Sequence, residues 1–99
     1  MENHYQSDHS PEYILSMLLR QFKILFQIRQ LLDNNYTSPK IISSLSLHPF
    51  VVNKGINQAK NFEISTIKKI INELTEVEFL GRSGKINLKA AISLIVNKI

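Results

Sequence analysis

Apolar residues recur at separations of three and four along most of this chain, and that period predicts helices. The first is expected over residues 11–34. Pro11 opens it at a position where the missing N–H costs nothing, and Ser10 is the natural N-cap. Its polar positions Ser16, Arg20, Lys23, Gln27 and Gln30 are spaced four, three, four and three, so they form one narrow stripe. Most of the remaining circumference is apolar, from Ile14 and Leu15 to Leu31 and Leu32. A surface helix of a small domain needs roughly half its circumference apolar. This one uses more, so it is expected to be partly central to its own bundle and partly covered by a partner.

Asn34-Asn35-Tyr36-Thr37 interrupts the pattern. Ser38 and Pro39 read as N-cap and first residue of a short second helix over 39–45. Ser46-Leu47-His48 makes a corner, with His48 either capping the next helix or packed in the corner. Pro49 starts the third helix, 49–61, whose apolar positions Val52, Ile56, Ala59 and Phe62 share a face. Gly55 inside it costs about 1 kcal/mol relative to alanine, which points to close helix packing there. The fourth helix, 64–80, sets Ile64, Ile67, Ile70, Ile71, Leu74 and Val77 against Lys68, Lys69, Asn72, Glu73 and Glu76, and Gly81 is expected to end it as a C′ residue. Asn87 caps the last helix, 88–98, with Leu88, Ala91, Ile92, Ile95 and Ile99 inward. The many isoleucines suggest strands, but their spacing overrides that. The expected fold is all-α, a single five-helix bundle over residues 11–99, behind a polar, aperiodic segment 1–10 read as a flexible leader, native linker or expression remnant.

Composition narrows the function more than the fold. A chain of 99 residues, 43% hydrophobic and 20% charged, suffices for one modest core. With no cysteine, disulfides and thiolate metal sites are excluded. Neither a signal peptide nor a membrane-spanning run is visible, so a soluble, cytosolic protein with no membrane partner is expected, and the sequon Asn35-Tyr36-Thr37 is incidental. The net charge of +4 permits nucleic-acid contact, but apart from the adjacent Lys68 and Lys69 the lysines are scattered singly, which suits a solvated surface better.

The chemical motifs mostly fail. Gly81-Arg82-Ser83-Gly84-Lys85 has the outline of a phosphate loop, yet it has two residues between its glycines where four are needed, a helix before it, and Ile86 where Ser or Thr should hold magnesium. His4 and His9 lack metal-binding companions. The acids are few, and His48 has no carboxylate nearby in sequence, so no catalytic residue, metal site, cofactor or small-molecule ligand is expected. The second and third helices do have the outline of a helix-turn-helix. A DNA reader presents polar side chains near the start of its second helix. Here that start is Pro49, Phe50, Val51 and Val52, with Asn53, Lys54 and Asn57 the positions suited to polar contact. The helix looks built to meet protein, and DNA contact should be weak and non-specific at most. A small basic helix-turn-helix transcription regulator is the alternative reading.

Three segments, PEYILSMLLRQFKILFQ, LSLHPFVVNKGINQAKNF and RSGKIN, together resemble the C-terminal domain of the delta subunit of bacterial DNA polymerase III. Residues His48-Pro49-Phe50-Val51-Val52 beside Arg20-Gln21-Phe22 carry the likeness most specifically, over roughly residues 11–99. Ser46 stands where that family commonly has glycine, and Gly55 where it has alanine. The resemblance implies a helical collar domain, a fragment lacking the upstream AAA+-like module of a clamp-loader subunit, in the bacterial cytoplasm. Its implied role is oligomerisation and scaffolding: holding the clamp-opening subunit in the loader ring during DNA replication, with the collar domains of other clamp-loader subunits as partners. It would bind no ATP, the nucleotidyltransferase activity belonging to the polymerase holoenzyme. The expected subunit interface is Arg20, Lys23, Gln27, Lys54 and Lys60. The expected structural corner is Phe22, His48, Pro49, Phe50 and Val52, with Phe50 and Phe22 packing the corner against the first helix.

Overall fold

Five helices follow one another in the computed structural model, which describes residues 10–98: α1 Pro11–Asp33, α2 Ser38–Leu45, α3 Pro49–Ala59, α4 Ile64–Arg82 and α5 Leu88–Lys98. No strand occurs among the described residues, so the isoleucine-rich segments follow their helical period. His4, His9, Ile99 and nearly all of the expected leader lie outside the described residues. The chain divides into two compact units, one of residues 21–69 and the other of the residues up to 20 with those from 70 onward.

In the 21–69 unit, α1 ends in a Schellman turn. Asn35 takes the left-handed conformation at φ 66°, the Tyr36 N–H donates to the Leu31 carbonyl, and the Asn35 N–H donates to that of Leu32. The start of α2 departs from expectation. Ser38 is its first helical residue, and Thr37, in extended conformation, occupies the N-cap without a side-chain cap bond. The Ser38 hydroxyl is engaged elsewhere, donating to Asn53 Oδ1 at 2.8 Å. Ser46 turns the corner in the left-handed region at φ 55°, its N–H bonded to the Ile42 carbonyl. His48 then caps α3: its Nδ1 accepts from the Phe50 N–H at 3.0 Å, with Pro49 in the first turn behind it.

The inner face of α3 is Val52, Gly55 and Ala59, all buried. A Cβ on Gly55 would lie 2.5 Å from Ile28 Cδ1, so here glycine is what lets α3 approach α1. Phe50 is two residues before Val52, about 200° around the helix, and it points outward, 67% exposed. It therefore does not pack against the first helix as expected. Phe62 does: its ring meets that of Phe22 edge-on, centroids 6.1 Å apart. The third helix also stops two residues early, because the Asn61 and Phe62 N–H groups turn to the Gln58 and Ala59 carbonyls three residues back. Fully enclosed in this unit are Ile28, Ile41, Val52, Ala59 and Ile67.

In the other unit, Ser10 Oγ accepts from the Tyr13 N–H at 3.2 Å at the start of α1, and Asn87 Oδ1 accepts from the Ala90 N–H at 3.0 Å at the start of α5. Leu15, Leu19, Ile70, Leu74, Ile92 and Ile95 are its buried residues. Gly81 does not end α4. The helix runs through it to Arg82, and Gly84 takes the left-handed position at φ 71°. The Lys85 N–H reaches back to the Leu80 carbonyl and the Gly84 N–H to that of Gly81, a second Schellman turn. Gly81 is helical for packing: a Cβ there would lie 2.8 Å from Leu88 Cδ1.

Candidate interaction surfaces

Arg20, Lys23 and Gln27 are exposed on α1, as are Ser16 and Gln30 of the same stripe. Their three-and-four spacing on a continuous helix aligns them. Lys54 on α3 and Lys60 just after it are exposed too. Six residues separate these two lysines, about 120° around a helical axis, so they do not form one face. Of the expected corner residues, Phe22 and Val52 are buried, while His48 and Pro49 are exposed and shape the start of α3.

The start of α3 presents Phe50 and Val51 to solvent. Of the positions suited to reading bases, Asn53 accepts the Ser38 hydroxyl, whereas Lys54 and Asn57 are exposed further along. In the unit that includes α5, Tyr13, Met17, Phe79, Leu94 and Val96 are large apolar side chains at the surface, Phe79 and Leu94 each 68% exposed. Isolated exposed apolar residues are ordinary, and Phe79 and Leu94 at that exposure contribute little to the core of their unit.

One residue with a clear role was not singled out by sequence. Arg29 donates from Nη1 to the Ala59 carbonyl at 3.3 Å and pairs through Nη2 with Asp33 at 2.9 Å. It ties α1 to the last turn of α3, where a cation suits both the free carbonyls and the negative end of the helix dipole. Its Nε is enclosed without an acceptor. The only sequence signal was the Arg29/Asp33 spacing of four, which is common on exposed helices.

A cleft of about 130 Å³ is lined by Glu12, Leu15, Ser16, Glu78, Gly81, Arg82 and Leu88. Its charges are Glu12 and the Glu78–Arg82 pair, 3.4 Å apart and one turn of α4 from each other. That is a surface ion pair beside a groove, with no nucleophile and base in contact. Among the described residues no group of three His, Asp or Glu side chains is placed to hold a metal ion, and no helix is long and apolar enough to cross a membrane.

The fold and these surfaces define an all-α module with Ser10, His48 and Asn87 capping three of its helices, an apolar core in each unit and apolar side chains left outside. The same architecture is found in the Bacillus subtilis DNA clamp loader delta protein, with a TM-score of 0.88 and 23% identity over 98% of this chain and 29% of that one. The sequence profile described as "DNA polymerase III delta subunit, C-terminal domain" matches residues 2–99, and the chain belongs to that family. It is 24% identical over 91 residues to DNA polymerase III subunit delta of Bacillus subtilis strain 168, a match covering 92% of this chain and 26% of that protein. The chain thus spans between a quarter and a third of the length of these relatives.

Proposed function

We propose that this domain is the collar of a clamp-loader delta subunit, an oligomerisation element that holds a clamp-opening module in the loader ring during DNA replication. Its partners would be the collar domains of the other subunits. The observation that carries the reading, beside family membership, is that each unit leaves large apolar side chains outside its core: Phe50 in one, Phe79 and Leu94 in the other, each about two-thirds exposed. Arg20, Lys23, Gln27, Lys54 and Lys60 are the polar positions proposed to fix register at subunit contacts, arginine in particular being favoured at interfaces and able to pair bidentately with carboxylates. The domain itself would bind no nucleotide and do no chemistry, polymerisation belonging to the holoenzyme, and it would work in the bacterial cytoplasm.

The test is assembly. Mixed with the other clamp-loader subunits of its own source, the chain should enter a heavier complex, read by light scattering after size exclusion. If no complex forms with any of them, singly or together, the role is wrong although the family stands. A helix-turn-helix regulator would behave differently. Against that reading, α3 begins with exposed Phe50 and Val51, and Asn53 is engaged by Ser38. Duplex DNA titrated at about 150 mM salt should bind weakly and without sequence preference, whereas sub-micromolar selective binding would favour the regulator.

A further inference from the structure

Charge is sorted along the second half of α4. Residues 70–78 carry Glu73, Glu76 and Glu78 and no base, while residues 80–89 carry Arg82, Lys85 and Lys89 and no acid. Phe79 stands between the two groups, 68% exposed. On a helix, Thr75 and Ser83 lie about 40° to either side of Phe79, and Glu76 and Arg82 about 60°. All five are exposed, so they form one outward face, wholly within the unit that contains residues 70–99. Ser83 belongs to it because its N–H bonds the Phe79 carbonyl one turn back. Glu12 and Glu78 line the cleft beside Arg82, whereas Glu76 and Phe79 do not. Arg82 meets Glu78 only at 3.4 Å, long for a charged hydrogen bond, and its side chain is 78% exposed, so it can turn outward.

We infer that this face pairs with the same face of a second copy of the chain, antiparallel about a two-fold axis at Phe79. In that arrangement the pattern complements itself. Phe79 meets Phe79, Glu76 of each copy faces Arg82 of the other, and Thr75 of each faces Ser83 of the other. Parallel pairing would set Glu76 against Glu76 and Arg82 against Arg82, and like charges across a contact oppose it. Glu73 is partly buried and engaged within its own chain, so Glu76 and Arg82 carry the register. The two rings supply the apolar centre, aromatic pairs being favourable beyond the area they bury. Such a contact uses the same patch on both copies and closes at a dimer. One helix face is a small contact of the transient kind, so pairing is expected at high concentration only. The inference concerns the chain by itself and goes beyond the loader reading.

Sedimentation equilibrium of the chain alone, from about 10 μM to about 1 mM, should show monomers passing to dimers and to nothing larger. Melting curves at low concentration first verify that each variant folds as the parent does. Phe79→Ser should weaken pairing at least about tenfold, because an aromatic anchor at the centre of a contact dominates it. Leu94→Ser, at a residue equally exposed, should leave pairing unchanged. Glu76→Arg should weaken it as Phe79→Ser does. Glu76→Arg with Arg82→Glu in one chain should recover most of that loss, since both pairs are then reversed. Register is read with cysteines, of which the chain has none. Thr75→Cys and Ser83→Cys should each give little disulfide alone, and when mixed they should join to one another. A chain that stays monomeric throughout the range overturns the inference, as does a dimer indifferent to Phe79→Ser. Species larger than a dimer that vanish on Phe50→Ser would mean a head-to-tail contact with α3, and the two-fold would be wrong. Assembly with the loader subunits is measured separately, by mixing, so failure here leaves that reading standing.

Discussion

The two units of this small domain handle their apolar residues differently. In residues 21–69, Ile28, Ile41, Val52, Ala59 and Ile67 have no exposed surface at all. Polar bonds cross between helices there, from Arg29 to the Ala59 carbonyl and from Ser38 to Asn53. Its exposed large apolar side chains are Phe50 and Val51, adjacent at the start of one helix. The other unit has Leu74 fully enclosed and Leu15 nearly so, but leaves Tyr13, Met17, Phe79, Leu94 and Val96 at the surface of three helices. Helices of the same amphipathic type can thus close a core or keep apolar area for something else, and the mean hydropathy of a helix does not tell which. What separates the two is side-chain geometry: an arginine that reaches a helix end and an aromatic pair at a corner.

The comparison is tested most strongly at the aromatic residues. Phe22 is 6% exposed and in contact with Phe62, so Phe22→Ala should cost about 3–5 kcal/mol, enough to unfold much of a domain this size. Phe50→Ala should change stability by about 0.5 kcal/mol or less, as truncations at exposed sites do. Thermal melts of the two variants check both. If Phe50→Ala melts as early as Phe22→Ala, the corner is packed as the sequence reading had it and the outward placement is wrong.

Next in size are the helical glycines, one in each unit. At Gly55 the obstructing atom belongs to Ile28, which is wholly buried, so it must shift within the core and not into solvent. Overpacking there costs about 1–3 kcal/mol and outweighs the helix-propensity gain of alanine, so Gly55→Ala should destabilise. At Gly81 the obstructing atom is the tip of Leu88, a partly exposed side chain at the first residue of α5. Leu88 can rotate aside, so Gly81→Ala should lie within about 0.5 kcal/mol of the parent, the propensity gain offsetting the contact. Urea denaturation midpoints at constant m-value separate the two. Equal losses would mean that the second unit is as closely packed as the first.

Much of this was legible because it depends on local spacing. The five helices follow from apolar periodicity, the Ser10 and Asn87 caps from residue type, and the close approach at Gly55 from the oddity of glycine inside a helix. The misplacements share a physical cause. Gly81 and Gly84 are both plausible helix terminators, and which one adopts positive φ depends on Leu88 packing on Gly81, a contact made seven residues along. A serine at position 38 has the residue type of a cap, yet Asn53 fifteen residues away takes its hydroxyl. Phe50 was placed inside by its hydrophobicity. Its angular position relative to Val52 sets it outside once Val52, Gly55 and Ala59 define the inner face. Arg29, like Ser38, has a partner far along the chain: the carbonyl it bonds is thirty residues distant. Of the proposed contact residues, spacing alone aligns Arg20, Lys23 and Gln27 on α1 and sets Lys54 and Lys60 about 120° apart.

The smallest expected effects concern the turns. In the unit with α5, the left-handed position after α4 is a glycine, Gly84, and in the 21–69 unit the left-handed position after α2 is Ser46. An L side chain in that region costs about 1–2 kcal/mol, and serine visits it less readily than asparagine does. Replacing Ser46 with glycine removes that strain but gives the unfolded chain more freedom, a counter-effect of roughly 0.5–1 kcal/mol. The net for Ser46→Gly should be a gain of up to about 1 kcal/mol, a rise in melting temperature of about 4–8 °C at the upper limit for a domain this size. Gly84→Ala is the mirror experiment. No atom lies within 4 Å of a Cβ built there, so any loss comes from the backbone alone and should be about 1 kcal/mol. A neutral Gly84→Ala together with a destabilising Ser46→Gly would show that the α2–α3 corner holds Ser46 by contacts its φ does not reveal. The opposite pair of signs would show that the 21–69 unit, for all its closer packing, carries a strained turn that its counterpart avoids.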